Sequence, residues 1–180
     1  GGSNTETPPT QPRMVLAEKG ALDLLRREEI LKPPVPVHDL LKQFSDVSAY
    51  ANLSDQSFCC EEHSIWHVCI NRWLIQRSLN YTEAHNLGHL LLNHLHFDLS
   101  RLTPSQIELL NIEANHFADN LLMPEAWICS ACQKMKLNEL TAHSLASLFA
   151  VTDKTMDYRL HNLGIYSPED FYNRYRCYKT

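Results

Sequence analysis

Residues 81–94 read YTEAHNLGHLLLNH, and two of them, His85 and His89, stand four apart. In a helix that spacing separates the side chains by about 40° of rotation, so both imidazoles share one face and can chelate a single metal ion. Ala84, Gly88, Leu91 and Leu95 gather on a separate face, which gives the segment an apolar side to bury. The pattern predicts one helix over residues 72–95. Gly88 costs about 1 kcal/mol in a helix interior, and its presence points to a neighbouring backbone passing close by. Where such a histidine pair serves zinc-dependent hydrolysis, a glutamate follows the first histidine and takes a proton from the attacking water. Here the following residue is Asn86. Taken alone, the pair is better described as two ordinary partly buried histidines, and the metal reading needs support from elsewhere in the chain.

The surrounding chain sets the frame for that helix. It has 180 residues, 44% of them hydrophobic and 21% charged, with a formal net charge of -5. That length supports one domain with a sizeable core, and the negative balance argues against a broad nucleic-acid-binding face. No apolar run reaches the length of a membrane span and no signal segment opens the chain, so the expectation is a cytoplasmic protein without membrane contact. The cysteines, 6 in number, carry no sign of secretion. They read as reduced thiols, with Cys129-Ser-Ala-Cys132 a buried pair rather than a metal knuckle.

Residues 1–13, GGSNTETPPTQPR, are polar and proline-rich and read as a tag or disordered tail. Leu16, Ala21, Leu24 and Leu25 recur at helical spacing within residues 15–31, and Pro33, Pro34 and Pro36 then force extended chain. A short helix over residues 37–44 follows. Val47, Ala49 and Ala51 alternate with polar residues, and Ile65-Trp66-His67-Val68-Cys69-Ile70 is rich in strand formers. With a turn at residues 54–57, these predict a small antiparallel sheet of two or three strands. The remainder is helical, interrupted at residues 100–104, at Met123-Pro124 and near Gly164. The expected architecture is α+β and mainly helical, with a domain over 14–135 and a helical region over 136–180 packed on it.

The motif gains its meaning from a second one. YTEAHNLGHLLLNH resembles the segment RFTLAHELGHLLLH of the ImmA/IrrE family of zinc metallopeptidases. NIEANHFADNLLMP, residues 111–124, is similar to that family's E-x-E-A-N-x-F-A-x-x-L-L-M-P. The Pro-Pro-Val segment, the short sheet and the helical tail ending LASLFAVTDKTMDYRLHNLGI also fit, so the resemblance spans residues 15–165. It implies a zincin-like fold, a zinc ion held by two histidines and a glutamate from a second helix, and cleavage of helix-turn-helix repressors.

This sequence departs from the family on the chemistry. Asn86 replaces the general base, and a carboxamide has no basic lone pair near neutral pH, which costs about two to four orders of magnitude in rate. The family's third ligand, taken as the glutamate four residues before the Asn of A-N, falls on Asn111, which offers only a neutral amide oxygen. If the ligand is instead the residue before A-N, Glu113 completes the site. The helical-face argument favours Asn111, because residue 113 lies about 200° round from it. Glu83 and Glu108 are poorly placed to substitute, and His94, His96 and His116 are spare nitrogen donors, with His96 sharing the histidine face if the helix runs that far. Expected, then, is a pseudo-peptidase with zinc weakened or absent, binding a repressor or antitoxin-like protein. An active zinc endopeptidase, with Asn86 engineered or bypassed, is the alternative. A further alternative is a DNA-binding regulator. Residues 145–164 resemble a helix-turn-helix, but Lys154, Arg159 and His161 are a thin set of phosphate contacts and core packing is the favoured reading.

Overall fold

The structure is a computed structural model that describes residues 7–50, 58–62, 65–71 and 74–175. The turn expected at residues 54–57 and the helix start expected at Arg72 lie outside the described residues. Eight α-helices and three strands are described: α1 (Met14–Arg27), α2 (Val37–Phe44), β1 (Asp46–Tyr50), β2 (Phe58–Glu62), β3 (Ile65–Asn71), α3 (Gln76–Leu91), α4 (Pro104–Leu122), α5 (Glu125–Lys134), α6 (Ala142–Phe149), α7 (Asp153–Asn162) and α8 (Pro168–Tyr175).

At the centre α4 packs against both α1 and α3. Its start is written in sequence: the Thr103 hydroxyl accepts a hydrogen bond from the Gln106 backbone N–H, the Gln106 side-chain oxygen accepts one from the Thr103 backbone N–H, and Pro104 opens the first turn. Ala114, Phe117, Ala118, Leu121 and Leu122 face inward at helical spacing, and Ala17, Ala21, Leu24 and Leu25 supply the facing stripe of α1. The expected close approach at Gly88 is present. A β-carbon there would meet the Ala114 carbonyl oxygen at 3.1 Å and the Phe117 ring at 3.1 Å.

The sheet differs from the all-antiparallel expectation. β2 runs antiparallel to β3, but β1 pairs with β3 in parallel, giving the order β1-β3-β2. Alternation fixes which side of a strand is buried, and Val68 and Ile70 are buried as it requires; strand direction depends on the connection. Two other boundaries move. The helix predicted to run to residue 31 ends at Arg27, beyond which Glu29 takes a left-handed conformation with φ 55°. The tail assigned to residues 1–13 is built into the fold at its last residue, where Arg13 pairs with buried Glu113.

The C-terminal helices pack on the domain. Asn80 of α3 donates to the Ala150 carbonyl between α6 and α7, and Arg174 and Tyr175 of α8 both engage Glu125 of α5. Arg159, expected among three phosphate-facing residues, is instead buried. It donates to the Met123 carbonyl at 3.1 Å and to Asn120 at 3.2 Å, closing the end of α4.

Candidate metal centre

α3 carries His85 and His89 on one face, both half-buried, with their Nε2 atoms 2.9 Å apart. Two ligands of one tetrahedral zinc, each about 2.0–2.1 Å from the ion, stand about 3.3 Å apart, so the pair is a few tenths of an ångström from a chelating geometry. Each outer nitrogen has its own partner: His85 Nδ1 lies 2.8 Å from Asn115 Oδ1, and His89 Nδ1 lies 2.8 Å from His94 Nδ1. Burial pushes both imidazoles below the usual histidine range. For His89 the neighbouring His85 and His94 add to burial and bring it down to about 3. The pair is therefore neutral at physiological pH, the state in which imidazole binds metal.

α4 faces the pair with amides. Asn111 lies beside His89, and Asn115, one turn later, reaches His85 Nδ1. Glu113 points elsewhere. It is fully buried, receives Arg13 through its backbone N–H and guanidinium at 2.8–2.9 Å, and lies 2.8 Å from His94 Nε2. Burial alone would raise its carboxyl, but the hydrogen bonds from Arg13 and His94 outweigh that and hold it below the usual range. The structure thus places Asn111, and not Glu113, beside the histidine pair.

Asn86 is buried, at 3% exposure, and its Nδ2 donates to the Thr82 carbonyl one turn back at 2.9 Å. Of the residues considered as substitutes, Glu83 is engaged by His38 of α2, Glu108 is exposed, and His116 is half-buried on α4. His96 does not share the histidine face. α3 stops at Leu91, Asn93 turns left-handed with φ 57°, and His96 is exposed, its ring 6.4 Å from that of Trp66. The same turn swings His94 inward to 1% exposure. Sequence reasoning named His94 only as a spare donor; the signal available was Asn93, a residue that tolerates the left-handed turn needed to fold the chain back.

The donor set can be weighed against zinc. Two neutral imidazoles converge, each braced on its far nitrogen, which is how metal-binding histidines are held. The third position offers an amide instead of a carboxylate. Among the described residues no group of three His, Cys, Asp or Glu side chains converges on one point, because His94 meets the far nitrogen of His89. The residues fit a zinc ion through two nitrogens and a neutral oxygen, a weak site.

Comparison with known proteins follows the same line. The family model for the M78 peptidases, described as the IrrE N-terminal-like domain, matches residues 44–161. No curated protein matches the chain. Among solved structures, a transcriptional regulator from Mycobacterium tuberculosis superposes with a TM-score of 0.62 at 17% identity, over 81% of this chain and 46% of that one. The chain thus spans under half the length of that neighbour, and at this identity the likeness concerns the fold.

Proposed function

Because the chain belongs to the M78 peptidase family with its IrrE N-terminal-like domain, we propose that it is a pseudo-peptidase, one that keeps the family scaffold to bind a regulatory protein of the repressor or antitoxin kind without cutting it. The observation that carries this reading is Asn86. It occupies the base position as a buried amide whose nitrogen is committed to the Thr82 carbonyl, and an amide cannot take the proton that hydrolysis must remove from water. Asn111 at His89 adds a second deficit in charge. A bound zinc would supply Lewis acidity to a carbonyl or to water. His85, His89 and Asn111 would hold it, and their neutral charge leaves the ion weakly bound.

A second reading, an active zinc endopeptidase, is favoured by one feature: the two Nε2 atoms remain aimed at each other. The DNA-binding reading loses Arg159 to the core, leaving Lys154 and His161 of the three residues named for it. The mycobacterial neighbour is titled a transcriptional regulator, which is compatible with regulation through a bound protein.

The deciding experiment measures zinc content and cleavage of a panel of helix-turn-helix repressors by the parent, by Asn86→Glu and by Asn86→Glu/Asn111→Glu. The proposal expects substoichiometric zinc and no cleavage from the parent, calorimetric binding of one panel member, and both zinc and cleavage from the double variant. Cleavage by the unmodified protein sinks it in favour of the second reading. Cleavage by Asn86→Glu alone, with full zinc, shows that Asn111 is no deficit.

A further inference from the structure

The contacts that α3 and α4 make at the histidine pair recur turn by turn. Asn111 lies beside His89, Asn115 Oδ1 is 2.8 Å from His85 Nδ1, and one turn further on Asp119 lies beside Tyr81. Residues four apart share a helix face, and each step back along α3 is a step forward along α4, so the two helices run antiparallel with three rungs between them. The third rung has a different surrounding from the other two. Tyr81 and Asp119 line a cavity of about 400 Å³ that opens between α3, α4 and α7. It begins one helical turn, about 5.4 Å, along the groove from His85.

The lining sets what the cavity can hold. Asp119, at 6% exposure, is its most deeply buried polar group, Tyr81 and Tyr158 are its aromatic residues, and Asp157 is exposed at its mouth. The Arg159 guanidinium is close to Asp119 but donates its Nε and Nη2 hydrogens to the Met123 carbonyl and Asn120. Burial still pushes the Asp119 carboxyl up to about 6, so Arg159 replaces only part of the hydration that it has lost. Lys154 and His161 also line the cavity, and both are exposed, where a lysine can carry its ammonium out into water. A buried carboxyl among aromatic rings favours a flat cation that donates several hydrogen bonds and stacks. Guanidinium has that shape and is weakly hydrated, whereas an ammonium is compact and strongly hydrated. We propose that this cavity is a recognition pocket for one arginine side chain of a partner protein, with the guanidinium on Asp119 and its plane against Tyr158. The proposal rests on the reading of the chain as a protein-binding pseudo-peptidase and names what it recognises. A basic surface of the kind that DNA-binding repressors carry would meet a chain of formal net charge -5.

The test titrates the nitrogen-15-labelled full chain with two blocked tripeptides, one with a central arginine and one with citrulline, its neutral isostere. Expected are saturable amide shifts around Tyr81 and along α7 with the arginine peptide, and binding of the citrulline peptide weaker by at least about 10-fold. Asp119→Asn should lose the preference for arginine. Tyr158→Ala, at a side chain 65% exposed and so outside the core, should weaken the arginine peptide about 3-fold. Equal binding of the two peptides by the parent overturns the proposal without recourse to any variant, as does the lack of a saturable shift at the cavity. A repressor that binds by calorimetry should bind at least about 10-fold more weakly to Asp119→Asn. One that binds the parent and both folded variants equally overturns the pocket and leaves the pseudo-peptidase reading standing. Arginine-selective peptide binding with no repressor bound upholds the pocket and counts against the repressor reading instead.

Discussion

Asn86 and Arg159 carry consequences that separate folding from chemistry. Asn86 is buried with its amide nitrogen on the Thr82 carbonyl. Placing a carboxylate there restores the family's base but buries a charge. In metal-free protein Asn86→Glu should lose about 1–3 kcal/mol by urea unfolding, and added zinc should return part of it. Unchanged stability would mean that the new carboxylate reaches solvent. Arg159 sits inside the molecule between the Met123 carbonyl and Asn120, with Asp119 close by. Removing it by Arg159→Met strands these acceptors and should cost about 3–5 kcal/mol, as for breaking a buried pair. A loss under 1 kcal/mol would show that solvent reaches the site.

At the level of elements, the site depends on how closely α3 lies on α4. Gly88→Ala gains about 1 kcal/mol of helix propensity but places a methyl 3.1 Å from the Ala114 carbonyl oxygen and the Phe117 ring. The backbone contact cannot yield as a side chain tip does, so a net loss of about 1–3 kcal/mol is expected from the overpacking. Zinc uptake should drop with it, because Asn111 and Asn115 ride on the displaced helix; a more stable variant would show that the helices can separate freely. The capping box of α4 is a milder lever. Thr103→Ala removes the acceptor for the Gln106 amide and should cost about 1 kcal/mol, seen as a lower thermal midpoint.

For the whole molecule, the buried histidines set the acid limit. Burial lowers His85, His89, His94 and His116 from an ordinary value of 6.5, His89 to about 3. The unfolded chain therefore takes up protons that the native state refuses. Their stabilisation is full above pH 6.5 and is lost as pH falls, over a range reaching about 3 for His89. Two groups oppose this. Burial raises Asp119 from 3.8 to about 6, and it raises Glu83, so their contributions are present at low pH and lost as pH rises. Four histidines outweigh two carboxyls, and Glu113, held low, adds a further loss below 4.5. Urea midpoints in chelator should therefore fall steadily from pH 7 toward pH 4; a flat profile would place the histidines in water. No helix among the described residues is long and apolar enough to cross a membrane.

The sequence by itself determined what a helix period can encode. His85 and His89 on one face, Asn111 two residues from Glu113 and so on another, Gly88 at a close crossing and the start of α4 at Thr103 all follow from spacing within one segment. Family membership followed from two such segments read together. Only the tertiary structure decided what joins residues far apart in the chain: the parallel pairing of β1 with β3, the Arg13–Glu113 pair across 100 residues, the burial of Arg159 and the inward turn of His94. The physical reason is the same in each case. A local pattern fixes the direction of a side chain relative to its own helix, whereas the partner it meets depends on how the helices cross, and that is set by packing the whole core at once.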